Sequence, residues 1–285
     1  MRHFRLNRAS RCSEVRRISL PAGDEDASKF IQEAVRAYPE LYFARYVILG
    51  EGATEEVVLP MLAKAMDFPI DRSFVAVVPL GGRHVNHLWR LLFDLQVPFA
   101  TLLDLDWGRS GGGFGRIKTV LAQLLSVGYT GADLFADQLR PEGPQANLDH
   151  VAALNPADIA HLHRCVLWLE RFNVYYSDPL DLDYTMLNTY PAAYRRLEPG
   201  MRGPSMSGDP RGTVLGDDGR PDFYDAAHDD ALRWYRYLFL GRGKPSTHVR
   251  VLSRLTQAEL LAGMPQPLGR MLQRVREAIE GAAAR

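Results

Sequence analysis

Six carboxylates stand where apolar runs of the chain end: Glu51 and Glu55 after Tyr46-Val47-Ile48-Leu49, Asp104 and Asp106 after Phe99 to Leu103, and Asp181 and Asp183 after Phe172 to Tyr176. Taken one pair at a time, an Asp-x-Asp at a strand end is an ordinary turn or cap device. Taken jointly, the three pairs point to chemistry. Strand ends on one side of a parallel sheet converge, so these groups would crowd like charges into a small volume and push one another's pKa values up. A hard divalent cation with oxygen ligands relieves that repulsion. Mg²⁺ or Mn²⁺ suits carboxylates, whereas zinc asks for His or Cys. Two such ions about 3.5–4 Å apart stabilise both the attacking and the leaving oxygen of an in-line displacement at phosphorus. The implied chemistry is work on phosphate oxygens.

The elements that must position these groups follow a β-α-β-α-β order from Tyr46 to Asp106. The strand at Tyr46–Leu49 leads through Gly50-Glu51 to a helix with Thr54 at its N-cap and Glu55 and Glu56 in its first turn. Val58, Met61, Leu62, Ala65 and Met66 make the buried stripe, and Pro60 predicts a kink or a shifted start. Phe74 to Val78 is the second strand, Gly81-Gly82 a turn, His84 to Leu95 a helix, and Phe99 to Leu103 the third strand. Near-continuous apolar strands alternating with helices predict a parallel sheet covered on both faces. Beyond it come the basic, glycine-rich loop Gly108 to Arg116, a helix from about Phe114 to Val127, a polar irregular stretch from Leu134 to Asn155, and a helix over Pro156 to Glu170. The fourth strand is Phe172 to Tyr176. Residues 199–221 hold six glycines and four prolines, which predicts a linker or long loop. Helices follow over Phe223 to Leu240 and Ser246 to Leu255, and the capping box Thr256-x-x-Glu259 opens another.

Composition narrows the class. With 285 residues, 46% hydrophobic and 24% charged, the chain is globular rather than disordered or collagen-like, and long enough for a real core. Two distant cysteines, Cys12 and Cys165, make neither a disulfide framework nor a zinc ribbon, and fit a reducing, cytoplasmic compartment. No apolar run approaches the 18 or so residues of a membrane span. Lys and Arg balance Asp and Glu at 34 each, so nucleic-acid affinity has to come from local basic patches. Six arginines crowd the first 20 residues (Arg2, Arg5, Arg8, Arg11, Arg16, Arg17) with no apolar h-region after them, which excludes a secretory signal.

Gly50-Glu51-Gly52 at a strand end, followed about fifty residues later by Asp104-Leu-Asp106, resembles the Toprim domain of topoisomerases, bacterial primases and several nucleases. More narrowly, Val47-Ile-Leu-Gly-Glu-Gly-Ala-Thr-Glu55, Pro79-Leu-Gly-Gly82, Leu102-Leu-Asp-Leu-Asp106 and Pro179-Leu-Asp-Leu-Asp183 are similar to the overcoming-lysogenization-defect (OLD) family of nucleases. The likeness runs from about Leu41 to Val249. In it, Gly243-Lys244-Pro245-Ser-Thr-His248 matches a lysine segment near the family's C-terminus. The resemblance implies an α/β fold, a Toprim-type, Rossmann-like parallel sheet flanked by helices with further helical segments. Residues 1–40 would connect to a preceding domain. Residues 41–190 would be the catalytic domain with a helical insertion over about 113–170, and 191–285 a helical part carrying Lys244.

The activity implied is a phage-defence, Mg²⁺- or Mn²⁺-dependent DNA endonuclease using two ions, with Ca²⁺ as a non-productive occupant. Glu51, Asp104 and Asp106 would hold one ion, and Glu55, Asp181 and Asp183 the second. Lys244 would act with Glu51 and Asp104 in catalysis, neutralising charge near the scissile phosphate. The partners implied are DNA and an ABC-type ATPase domain absent from this chain, with a homodimer forming through that missing part. No G-x-x-x-x-G-K-[S/T] occurs here, and Pro245 after Lys244 excludes a phosphate-loop lysine.

Other features carry blander readings. His84 and His87, and His161 and His163, lack a carboxylate or cysteine to complete a zinc set and read as solvated or capping residues. Arg109 and Arg116 are candidates for DNA phosphates on a loop otherwise read as a connector. Trp89, Trp168 and Trp234 read as core rather than base-stacking platforms. Asp181-Leu-Asp-Tyr-Thr185 fits D-x-D-x-T of haloacid-dehalogenase-like phosphatases, in which the first Asp is a nucleophile. That motif should end its domain's first strand, and here Pro179 intervenes. The remaining alternative is a non-catalytic DNA-docking or dimerisation module with vestigial acids.

Overall fold

A computed structural model describes residues 2–7, 12–17, 36–81, 85–241 and 243–283. Arg8, Arg11, Gly82 and His84 lie outside the described residues. The arginine-rich opening contains an antiparallel hairpin, β1 (Arg2–Asn7) with β2 (Cys12–Arg17), where a plain connector is expected. The core sheet has four parallel strands in the order β4-β3-β5-β6: β3 (Tyr46–Gly50), β4 (Val75–Pro79), β5 (Phe99–Asp104) and β6 (Val174–Ser177). Helix α1 (Ala53–Ala65) links β3 to β4 on one side. Helix α2 (Val85–Leu95) crosses back so that β5 lands on the other side of β3. The strand order therefore reverses between β3 and β5, and the loops after those two strands face each other across the switch point.

The sheet lies inside a single hydrophobic core. Val47, Ile48, Leu49, Ala100 and Leu102 are fully covered, as their unbroken apolar runs require. Trp89 is buried in the same core, its Nε1–H donating to Thr101 Oγ1 at 2.8 Å, which accords with a structural role. Trp168 donates to the Leu134 carbonyl and carries Arg171 over its ring, while Trp234 packs edge-on to Tyr237. Among the described residues no helix is long and apolar enough to cross a membrane. Cys12 and Cys165 form no disulfide.

Several boundaries differ from the sequence expectation for identifiable reasons. Helix α1 runs on through Pro60, so no break results. Phe74 and Asn173 adopt left-handed backbone at φ 56° and 59°, which delays the starts of β4 and β6 past the apolar runs that include Phe74 and Phe172. Residues 134–155 are less irregular than their polarity suggests. They follow α3 (Phe114–Ser126) with α4 (Gly131–Phe135) and α5 (Pro144–Ala152), and α5 packs on α3. Next come α6 (Ile159–Leu169), α7 (Leu182–Thr189) and α8 (Pro191–Tyr194).

The Gly/Pro-rich stretch is not a free linker. It contains α9 (Pro210–Leu215), buries Val214 and Leu215, and ties Arg220 N–H to the Gly108 carbonyl at 2.7 Å. The single helix expected over Phe223 to Leu240 is instead two short 3₁₀ turns, α10 (Asp229–Tyr235) and a π-helical segment (Arg236–Leu240). Helices α11 (Lys244–Leu252) and α12 (Gln257–Ala262) follow, the latter capped by Thr256 and Glu259 as their spacing requires. Helix α13 (Gln266–Ala283) lays Leu268, Met271, Leu272 and Val275 against β5 and β6. The C-terminal residues thus complete the sheet's covering rather than build a core of their own.

Candidate metal and phosphate site

The site is assembled from the three strand ends. Strand β3 stops at Gly50, where an added Cβ would lie 2.6 Å from Glu55 Cβ, so only glycine lets the first turn of α1 fold back so closely. The N-cap of that helix is Gly52 rather than Thr54. Its exposed amides are satisfied by Glu55, whose Oε1 and Oε2 accept from Glu51 and Gly52 N–H at 3.1 Å each. Thr54, freed from capping, points its hydroxyl at Asp183 Oδ1, 3.4 Å away.

Past β5 the backbone is laced to the segment after β6. Leu105 N–H donates to the Ser177 carbonyl, Asp106 N–H to Leu180 and Trp107 N–H to Pro179. These bonds hold Asp104 and Asp106 against Asp181, with Asp106 in left-handed backbone at φ 52°. A non-glycine residue in that region is uncommon, and Asp tolerates it because its short polar side chain bonds locally. Gly112 sits so close that an added Cβ would lie 1.8 Å from the Asp106 carbonyl oxygen. Gly112→Ala should therefore destabilise the protein by roughly 1–3 kcal/mol through overpacking, read as a lowered urea midpoint with an unchanged slope.

All six carboxylates come together, and three cations stand among them. Glu51 Oε1 accepts from Asp104 N–H at 3.1 Å and faces Arg116 Nη1 at 3.2 Å. Arg116 also pairs with Asp106 through its second nitrogen. Arg109 Nη1 bridges Asp106 at 2.7 Å and Asp181 at 3.0 Å, and its Nη2 donates to Tyr235 Oη at 3.0 Å. Tyr235 in turn donates to Asp181 Oδ2 at 2.5 Å. Lys244 Nζ lies 2.5 Å from Asp183 Oδ2, and the buried His248 contacts Asp183 Oδ1 through Nε2 at 2.8 Å. Arg109 and Arg116, expected to reach outward to DNA phosphates, are thus turned inward on to the acids. As the side chains are turned here, no three His, Cys, Asp or Glu groups among the described residues surround a common point at ligating distance.

Electrostatics follow from this crowding. Burial, then the charges of Asp181, Glu51, Glu55 and Asp106, hold the Asp104 carboxyl well above its usual range, although Asp104 retains some access to solvent. Its Oδ1 accepts one hydrogen bond, from Leu182 N–H. Glu51 and Asp181 are raised chiefly by burial, Arg116 and Arg109 opposing the shift. Asp183 goes the other way: burial would raise it, but the His248 bond and the Lys244 charge outweigh that and lower it. Burial pushes Glu55 up to about 7 against the backbone amides that bond its charged form. A carboxyl raised on folding stabilises most below its unfolded pKa near 4.3, and that contribution declines as pH rises towards 7. In EDTA, Glu55→Gln should therefore gain on the parent protein between pH 4.5 and 7, by up to a few kcal/mol, and run parallel to it above. Chemical denaturation across pH checks this; a constant offset would mean that Glu55 titrates as it does in the unfolded chain.

Asp181 is the N-cap of α7, its Oδ1 accepting from Tyr184 N–H, and it lies four residues past the end of β6. A phosphatase nucleophile would be expected to point freely from a strand end. Of the second histidine pair, His163 pairs with Asp178 at 2.7 Å and His161 packs edge-on to Phe114. Sequence reasoning did not single out Tyr235, read Thr54 only as a helix cap, and gave His248 no role. For His248 a signal existed, since Lys244 and His248 are one turn apart on a single helix face. Nothing local marks Tyr235.

Comparison with known proteins matches residues 42–106 to the domain described as "Overcoming lysogenization defect protein-like, TOPRIM domain". Among curated proteins none matches the chain. Solved structures that resemble it include the C-terminal region of the Xanthomonas campestris pv. campestris OLD protein, at 19% identity over 85% of this chain and 96% of that one with a TM-score of 0.49. Another is the C-terminal region of the Burkholderia pseudomallei OLD protein, at 19% identity, 83% and 99% coverage and a TM-score of 0.49. The matched segment spans β3 to Asp106 and includes Glu51, Glu55, Asp104 and Asp106. The chain therefore carries a Toprim domain of the overcoming-lysogenization-defect type over residues 42–106.

Proposed function

We propose that this protein is a DNA endonuclease dependent on Mg²⁺ or Mn²⁺, cutting phosphodiester bonds at the site formed by Glu51, Glu55, Asp104, Asp106, Asp181, Asp183 and Lys244. The observation that carries this is the convergence of six carboxylates from three strand ends upon one another beside one lysine, four of them within the segment that matches a Toprim domain. The fit to a divalent ion can be judged from the donors. They are all hard oxygens, Glu51, Asp104 and Asp181 are raised by burial and by their acidic neighbours, and guanidinium groups supply the positive charge between them. Glu51, Asp104 and Asp106 are the set for one ion, and Glu55, Asp181 and Asp183 for a second. Asp183 differs from the other acids in pairing with Lys244 and His248, one on each oxygen. When bound, such ions supply positive charge at phosphate oxygens and make water a better nucleophile at neutral pH.

The chain's own residues do the rest. The Asp104 amide donates to Glu51 Oε1 and so ties the Glu51 side chain to the end of β5. Arg109 pairs with Asp106 and Asp181 and Arg116 with Glu51 and Asp106, so bound ions would have to displace these guanidinium groups, whose planar forks suit phosphate oxygens. Lys244, less enclosed than the acids around it, places an ammonium beside the carboxylates where charge develops on the scissile group. The phosphatase alternative is disfavoured because Asp181 is engaged by Arg109, Tyr235 and the Tyr184 amide of α7. The docking alternative has no use for so many paired acids.

Incubating the protein with supercoiled plasmid in Mg²⁺, Mn²⁺, Ca²⁺ or EDTA tests the proposal. Nicking or linearisation is expected with Mg²⁺ or Mn²⁺ and neither with Ca²⁺ nor with EDTA. Loss of superhelicity that persists in EDTA would sink it.

A further inference from the structure

Lys244 and His248 open helix α11 four residues apart, and they reach the same carboxylate from one helix face, one on each oxygen. His248 is fully buried between Phe239, stacked at 5.1 Å and 15°, and Tyr194, whose hydroxyl lies 2.5 Å from Nδ1. The proton positions follow from the partners. A carboxylate can only accept, so Nε2 carries the hydrogen that bonds Asp183. The Nδ1–Tyr194 bond runs from the hydroxyl to the nitrogen in the neutral ring, and it leaves no polar atom of the line unpaired. Thr54 adds its hydroxyl to the same Asp183 oxygen. The carboxylate is thus aimed by groups on α1, α8 and α11, and its second oxygen is presented to Lys244 alone among these groups.

We propose that Tyr194, His248 and Asp183 form a buried hydrogen-bonded line whose task is to place the Lys244 ammonium, with Asp183 acting as the anchor of that lysine. The inference rests on the nuclease reading for its consequence but not for its geometry. Lys244 has four rotatable side-chain bonds, and a flexible cation contributes to a transition state only when its place is settled beforehand. His248 and Tyr194 are positioning residues: Tyr194 bonds His248, and His248 bonds Asp183, through which both act.

The test uses His248→Ala, His248→Gln and Tyr194→Phe in the full chain, with three measurements: plasmid cleavage at saturating Mg²⁺, the number of Mn²⁺ ions bound, and the rate of Lys244 acetylation by trace acetic anhydride, followed by mass spectrometry. His248→Ala should slow cleavage 10–100-fold, bind as many Mn²⁺ ions as the parent, and acetylate several times faster at Lys244. His248→Gln, whose amide nitrogen reaches the place of Nε2, should recover most of the rate and the slow acetylation. Tyr194→Phe should shift both in the same direction by a few-fold, and stands in should the alanine variant not fold. Loss of a Mn²⁺ ion from His248→Ala, a glutamine variant no better than alanine, or Lys244 acetylation unchanged throughout would each overturn the proposal. If the parent protein cuts no DNA, the nuclease reading fails separately, and the acetylation rates alone decide the anchoring.

Discussion

Asp104→Asn is expected to abolish metal-dependent cleavage, lowering the rate at least 10³-fold, while the metal-free protein melts a few degrees higher than the parent at pH 8. Both effects come from one carboxyl. Asparagine keeps the oxygen that accepts from Leu182 N–H, so the backbone join between β5 and α7 survives. It removes a negative charge that burial and four acidic neighbours make costly to hold. The sign is set by linkage. Asp104 binds its proton more tightly folded than unfolded, so it contributes most below its unfolded pKa, and the parent loses that contribution as pH rises. The variant's advantage should therefore be absent near pH 4 and grow towards pH 8. Adding Mg²⁺ should reverse the order of the two melting temperatures, because an ion bound only by the folded parent stabilises it by mass action. Calorimetric scans with and without Mg²⁺ check this. An asparagine variant that still nicks plasmid removes Asp104 from the ligand set, and one that unfolds assigns it a structural task instead.

Lys244→Met is expected to lower the single-turnover cleavage rate by about 10²–10³ and to leave Mn²⁺ binding as it was. Methionine keeps most of the stem and removes the ammonium, which lies 5.9 Å from the centre of the Tyr235 ring. Asp183 remains held by His248, so no carboxylate is stranded. Arginine should restore only part of the rate, since a planar fork cannot occupy the compact position of an ammonium between Asp183 and the substrate. Rapid-quench measurements on a nicked or linearised product distinguish this from slower DNA binding, which would move the half-saturating protein concentration instead. An unchanged single-turnover rate would exclude Lys244 from the chemistry.

Much of this frame is legible locally. The apolar runs at Tyr46, Phe74, Phe99 and Phe172 announce strands buried on both faces, and the helical spacing between them announces crossovers, so a parallel sheet with acids at its carboxyl ends follows from pattern alone. The capping box at Thr256 is local chemistry and forms as its spacing requires. Elements went unread where composition opposes context. Residues 144–152 are polar for a helix, yet Leu148 and Asn147 are buried where α5 lies on α3. The glycines and prolines of 199–221 suggest slack, but Val214 and Leu215 anchor the stretch, and its end bonds to Gly108.

By itself, then, the sequence determined the class of fold and the side of the sheet on which the six acids gather, because period and residue type act over a few neighbours, whereas Lys244 was marked by family resemblance alone. Tertiary structure alone decided how those acids are paired. Arg109 reaches Asp181 across 72 positions, Tyr235 reaches it across 54, and His248 meets Asp183 across 65. Contacts of that span depend on how β5, α7, α10 and α11 pack against one another, and charge pairing in a buried cluster depends on distances of a few ångströms. No local pattern carries those distances. The same packing turns Arg109 and Arg116 from expected phosphate contacts into partners of the acids, and makes His248, a residue of unremarked type at the sequence level, the group that holds Asp183 in place.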